Sequence, residues 1–152
     1  MPPLPPTTTR IASNTAAEVN HRIRKAMEAR VEDIVRQGNG AINQRLRELE
    51  QEWDIERCLE AGASTLIITG LALGLAKDRK WLLLPAAGAA FLLQHALKGW
   101  SPPLPALRRL GVRTPAEINE ERIALKTLRG DFYDVSTQPS STVAQAIHAV
   151  RR

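Results

Sequence analysis

The sequence predicts an all-α fold built around a membrane-spanning helical hairpin, and the distribution of charge is the main reason. Residues 61–76 and residues 81–97 contain no charged side chain, and four charged residues, 77–80, separate the two runs. Each run is slightly shorter than the ~20 apolar residues of a usual span. Neither run has a polar face, which a helix of a small soluble domain normally has. We therefore expect two transmembrane helices in residues 61–100, with a buried soluble core as the alternative.

Aromatic and basic residues mark the ends of the two apolar runs. Trp81 and Trp100 are nineteen residues apart, which corresponds to about 28 Å of helix and is close to the ~30 Å thickness of the hydrocarbon layer. Indole rings favour the membrane interface, and long basic side chains reach from it into water. The predicted interfacial residues are Trp53, Lys77, Arg79, Lys80, Trp81, Lys98, Trp100, Arg108 and Arg109.

The basic residues also predict the topology of the hairpin. Three of them lie at the tip between the runs, whereas six lie on the side of the two chain termini. Because basic residues concentrate in cytoplasmic segments, both termini are expected in the cytoplasm of a bacterium, with the hairpin in its inner membrane.

Small side chains line the predicted spans and indicate close helix packing. Lipid gives no hydrophobic drive for helix association, so small residues that allow backbones to approach are favoured at such contacts. The contacts could serve the hairpin itself or a homo-oligomer, and the sequence leaves both open. The predicted packing or oligomerisation residues are Gly62, Thr65, Thr69, Gly70, Ala72, Gly74, Ala76 and Gly88.

The segment before the hairpin divides into a tail and a helical pair. Residues 1–14 are rich in proline and are expected to be disordered. Residues 15–60 are expected to form two amphipathic helices, because apolar residues recur at steps of three and four on both sides of residues 38–40. Thr15 and Glu18 have the spacing of a capping box at the start of the first helix.

The segment after the hairpin is expected to begin as an extended, proline-rich exit and to continue as an amphipathic helix within residues 101–130. This helix would start after Thr114, with Pro115 in its first turn, and stop at Gly130. Residues 131–152 would form a linker and a short C-terminal helix.

Overall charge and cysteine content exclude some classes of protein. The chain is basic, with a net charge of +5, but its surplus lies in residues 98–130, beside the predicted second span. That position fits a topology signal or contact with anionic lipid better than a nucleic-acid groove, so no nucleic-acid partner is expected. A single cysteine, Cys58, excludes an internal disulfide.

The order of these segments resembles the YgaP-like family of small two-span membrane proteins, a domain family of unknown function. The resemblance covers residues 53–132 and is most specific at Gly99-Trp100-Ser101-Pro102. Members commonly have a cysteine at the position of Ser101, so a thiol role does not carry over. Some members carry a rhodanese domain ahead of the hairpin, where this chain has amphipathic helices, so sulfur-transfer activity does not carry over either.

The sequence contains no pattern that indicates catalysis. The three histidines are dispersed, and no Ser/His/Asp set, glycine-rich phosphate loop or facing carboxylate pair is present. No catalytic residue, cofactor or metal site is predicted, and the chain is expected not to be an enzyme. Gln94 and His95 are polar residues near the end of the second run, and a functional role for them is left open.

These observations favour a non-enzymatic membrane accessory or scaffold protein that self-associates or docks a larger membrane complex through its helices. One alternative is a small oligomeric transporter or channel, although the spans are apolar, with Thr65, Thr69, Gln94 and His95 among their few polar residues, and a pore needs polar residues to line it. A sulfur-relay partner of a rhodanese-type protein, implied by the resemblance alone, is the other alternative.

Overall fold

The structure is a computed structural model, and it describes residues 5–133, 135 and 143–151. Every regular element in these residues is helical, which confirms the predicted all-α class. The chain divides into two compact units. Met1–Arg24 and Trp53–Ala116 form one, the hairpin unit, and Lys25–Glu52 and Glu117–Arg152 form the other, the helical unit.

Two antiparallel helices dominate the hairpin unit. Helix α4, Ile55–Ala76, begins where the Asp54 carboxylate accepts a hydrogen bond of 2.7 Å from the backbone amide of Arg57. A 3₁₀ turn, Arg79–Leu82, follows the tip and leads directly into helix α5, Leu83–Lys98. Helix α5 ends at Gly99, whose φ of 69° is the left-handed conformation that stops helices.

The hairpin unit also contains two short helices that the sequence pattern did not predict. Helix α1, Arg10–Ser13, lies in the segment expected to be disordered, and its Ile11 side chain is buried. Helix α6, Leu104–Arg109, replaces the extended exit, because a proline in the first turn removes an amide that has no partner in a helix anyway. Ile11, Ile55 and Leu104 form a small core there.

The predicted capping box at Thr15 is not the contact observed. The Thr15 hydroxyl donates a 2.8 Å hydrogen bond to the carbonyl of Ile11 and accepts one of 3.2 Å from Arg108. Helix α2 begins later, at Ala17, and runs to Gln37. Its first residues, 17–24, belong to the hairpin unit, and the remainder belongs to the helical unit.

The helical unit contains the rest of α2, helix α3 (Asn39–Gln51), helix α7 (Pro115–Arg129, from Glu117 onward) and helix α8 (Val143–Arg151). Gly38, with φ of 90°, separates α2 from α3, and Gly130, with φ of 93°, follows α7. The apolar stripes of α2, α3 and α7 meet in one core of Ile34, Ile42, Leu46, Leu49, Ile118 and Leu125. Most of the predicted linker after Gly130 lies outside the described residues.

Candidate functional site

The hairpin carries large apolar side chains on its outer surface. Ile68, Leu75 and Leu83 are 68%, 88% and 74% exposed, respectively. Soluble monomers rarely expose contiguous apolar patches of this kind, because burying such side chains in an apolar medium is worth roughly 1.5–3 kcal/mol each. In a hydrocarbon environment these side chains would not face water, so the free-energy cost of exposing them would be removed.

One helical stretch among the described residues, Asn39–Ala76, is long and apolar enough to cross a membrane, by length and composition alone. It covers α3 and α4, which residues 52–54 separate, and its charge-free part lies in α4. Only 11% of its most apolar window is buried, whereas the core helix of a soluble protein would be mostly buried. Helix α5 has 16 residues and is by itself too short to cross a membrane by the same criterion of length.

Three of the predicted packing glycines lie at the contact between the two hairpin helices. A Cβ atom on Gly74 would lie 2.6 Å from Leu82 Cδ2, and one on Gly88 would lie 3.1 Å from Ile67 Cγ1. A Cβ atom on Gly70 would overlap the Pro85 ring and lie 2.7 Å from Leu84 Cβ. A side chain at Gly70 would therefore displace the start of α5, so the close approach requires glycine there. At Gly74 and Gly88 the added atom would meet the side chains of Leu82 and Ile67, which can shift more easily.

The other predicted small residues lie on a different face of α4, and this face is exposed. Around Gly62 there is open space, since no atom lies within 4 Å of a Cβ built on it. The Thr65 hydroxyl donates a 2.8 Å hydrogen bond to the Ala61 carbonyl within the same helix. We call this face the open stripe; its members are Gly62, Thr65, Thr69, Ala72 and Ala76.

The predicted interfacial residues lie at the two ends of the hairpin, and all but one of them are exposed. At the tip, Asp78 accepts a hydrogen bond of 2.9 Å from the amide of Lys80, and the side chains of both residues form an ion pair at 3.7 Å. Arg108 is the exception. The exposed residues of the set are Trp53, Lys77, Arg79, Lys80, Trp81, Lys98, Trp100 and Arg109.

Arg108 differs from the expectation because its side chain is 1% exposed and therefore does not face a headgroup layer. Its guanidinium donates hydrogen bonds to the Thr15 hydroxyl at 3.2 Å, the Val112 carbonyl at 3.1 Å and the Asn20 side-chain oxygen at 2.8 Å. Five donors in a fixed fork suit an arginine to join several segments in this way. Arg108 connects α6 to the start of α2.

Helix α1 caps the end of α5, a contact that sequence reasoning missed. Arg10 donates a 2.7 Å hydrogen bond to the Ala96 carbonyl and pairs with Glu56 at 2.7 Å, while Asn14 donates to the Lys98 carbonyl at 2.9 Å. The last carbonyls of a helix have no partner within the helix, and a cation there also favours the helix dipole. Local spacing gave no signal for contacts between residues more than eighty positions apart.

His95, whose role the sequence left open, is buried in the hairpin unit. Neither of its ring nitrogens has a hydrogen-bond partner among the described residues, and the same holds for the hydroxyl of buried Ser101. Gln94 is partly buried.

The helical unit contains an ion cluster around Glu121, which the sequence analysis did not single out. The Glu121 carboxylate is fully buried and accepts hydrogen bonds from Arg30 at 3.1 Å and from Arg45 at 2.8 Å. Burial alone would lower the pKa of Arg45, but its hydrogen bond to Glu121 and the attraction of that carboxylate raise it overall. Hydrogen bonds from Arg45 and then from Gln44 lower the pKa of exposed Glu48.

The described residues hold no group of three or more His, Cys, Asp or Glu placed to bind a metal ion. Comparisons with protein-family models, curated proteins and solved structures find no match to this chain.

Proposed function

We propose that this protein is a non-enzymatic integral membrane scaffold, anchored in a bacterial inner membrane by a two-span hairpin with both termini in the cytoplasm. The observation that carries the proposal is the pair of charge-free runs in the hairpin, residues 61–76 and 81–97, whose large apolar side chains face outward. A lipid bilayer is the partner that such a surface fits. The resemblance of residues 53–132 to the YgaP-like family is consistent with the same proposal.

We propose a second span in which the end of the 3₁₀ turn continues into helix α5 at Leu83 and adds to its length. Helix α4 has 22 residues, or about 33 Å at 1.5 Å per residue. The 16 residues of α5 supply about 24 Å, and the four residues of the 3₁₀ turn add about 8 Å at 2.0 Å per residue. Without Arg79 and Lys80 at the tip and Lys98 at the other end, the charge-free residues 81–97 supply about 26 Å, which is close to a hydrocarbon layer of ~30 Å.

The scaffold role follows from two surfaces that the described chain leaves exposed. The open stripe on α4 offers a smooth face to a second hairpin in the membrane. In the helical unit, α7 exposes Ile123 and Leu128, and α8 exposes Ile147 and Val150. We propose that the stripe mediates self-association and that these cytoplasmic helices dock a partner complex.

Topology can be tested by labelling a single cysteine. In a Cys58→Ser background, Asp78→Cys places the thiol at the tip, and Thr7→Cys places a matched thiol near the N-terminus. In intact spheroplasts a membrane-impermeant maleimide should label the tip variant and not the N-terminal one, and detergent should expose both. Equal labelling of both variants before detergent, or extraction of the protein by alkaline carbonate, would refute the two-span anchor.

Self-association can be tested with two alanine-to-leucine variants of equal chemistry. Ala72→Leu adds bulk to the open stripe, whereas Ala89→Leu adds the same bulk to an exposed position on α5 outside the stripe. Energy transfer between labelled copies in lipid vesicles should fall in the Ala72 variant and be retained in the Ala89 variant. Equal energy transfer in both variants and the wild type would exclude the stripe as the contact.

A further inference from the structure

A cavity of about 450 Å³ lies in the hairpin unit between α4 and α5, and residues 101–107 close one side of it. Its walls are largely apolar and include Leu59, Leu66, Phe91 and Leu107. This size and lining are those of small-molecule sites, which are mostly apolar with a small number of polar groups that fix orientation.

Two buried polar side chains line this cavity without a partner. His95 is 5% exposed and Ser101 is 2% exposed, and neither the two ring nitrogens nor the hydroxyl makes a hydrogen bond among the described residues. Leaving a buried polar group unsatisfied costs roughly 1–3 kcal/mol, and native proteins rarely do so. A bound molecule with an oxygen acceptor would satisfy the Ser101 O–H or a His95 N–H.

The charges around the cavity decide the class of molecule. Within the described part of the chain, no Lys, Arg, Asp or Glu lines it. A neighbouring pocket shares His95 and is lined by Arg10, Glu56 and Glu60; Arg10 and Glu56 neutralise each other in an ion pair at 2.7 Å. An unpaired ion in such an apolar site would be strongly unfavourable.

We propose that this cavity binds a neutral lipophilic molecule that carries a carbonyl group, with its apolar body between α4 and α5 and its oxygen hydrogen-bonded by His95 and Ser101. This function goes beyond the scaffold role, and Gly62, a member of the open stripe, also lines the cavity.

The single cysteine provides the assay, because Cys58 also lines the cavity. The full chain in lipid nanodiscs is treated with N-ethylmaleimide, and the alkylation rate of Cys58 is measured against increasing methyl nonyl ketone. Undecane, which lacks the oxygen, and undecanoate, which is anionic, serve as probes of equal carbon number. The ketone should protect Cys58 saturably, at a concentration about tenfold below that required by either other probe, since one hydrogen bond of ordinary strength accounts for roughly that factor.

Variants then assign the hydrogen bonds. Ser101→Ala and His95→Phe should each weaken protection by the ketone severalfold and leave protection by undecane unchanged. Ser64→Ala, which removes an exposed hydroxyl from α4, is the matched control, and circular dichroism shows whether each variant keeps its helices. Equal protection by all three probes, stronger protection by undecanoate, no protection by any, or unchanged ketone protection in both site variants would each overturn the proposal.

Discussion

The close approach of α4 and α5 predicts opposite effects for one substitution at two glycines of the same helix. Replacing glycine by alanine in a helix interior raises the free energy of unfolding by about 1 kcal/mol wherever the methyl group has room, because alanine has the higher helix propensity. At Gly62 nothing lies within 4 Å of the added atom, so Gly62→Ala should raise the free energy of unfolding by about that amount.

At Gly70 the same methyl group meets atoms that cannot easily move. It would lie 2.7 Å from Leu84 Cβ and 3.1 Å from the backbone oxygen of Trp81, and it would overlap the Pro85 ring. Overpacking of this kind costs typically about 1–3 kcal/mol, which cancels or exceeds the propensity gain. Gly70→Ala should therefore be about 1–3 kcal/mol less stable than Gly62→Ala.

The comparison can be made by titrating each variant in mixed micelles with a denaturing detergent and following tryptophan fluorescence. Since both substitutions have the same chemistry and lie in one helix, their difference isolates the packing contribution. Equal stability of the two variants would mean that the hairpin helices are not held at this distance, and the packing argument would be wrong.

Three further predictions concern other parts of the chain. Glu121→Gln should lower the free energy of unfolding by about 2–4 kcal/mol in denaturant titrations, because it weakens charged hydrogen bonds from two guanidinium groups, whereas the exposed Glu120→Gln should have little effect. Folding lowers the pKa of Glu48, so its small contribution to the free energy of unfolding is present above the ordinary value of 4.5 and is lost as pH falls through the lower folded value. Glu48→Gln should therefore make the free energy of unfolding depend less on pH in the acid range. Gly99→Ala should release α1 and speed tryptic cleavage there, because the new Cβ would lie 2.7 Å from the Arg10 side chain of α1. Gly111 also has a positive φ, but nothing lies within 4 Å of a Cβ built on it, so Gly111→Ala should leave the cleavage rate unchanged.

The locally encoded features were predictable from the sequence. An amphipathic helix was expected between residue 15 and the break at residues 38–40, and α2 spans Ala17–Gln37, because a 3.6-residue apolar period and a glycine stop are visible in a short window. The two apolar runs likewise identify the residues of the hairpin that expose large apolar side chains, since the absence of charge is itself local information. Helix α6 was missed because prolines were assigned to an extended exit, although the first turn of a helix tolerates them.

By itself the sequence determined which long segments are helical, where glycines stop them and which segments are apolar and free of charge. Only the tertiary structure decided that Arg10 caps α5, that Arg108 is buried among three acceptors, and that Gly70 packs inside the hairpin while Gly62 lies on the open stripe. The physical reason is that helix formation depends on neighbours three or four positions away, whereas these contacts join residues that only the docking of whole helices brings together.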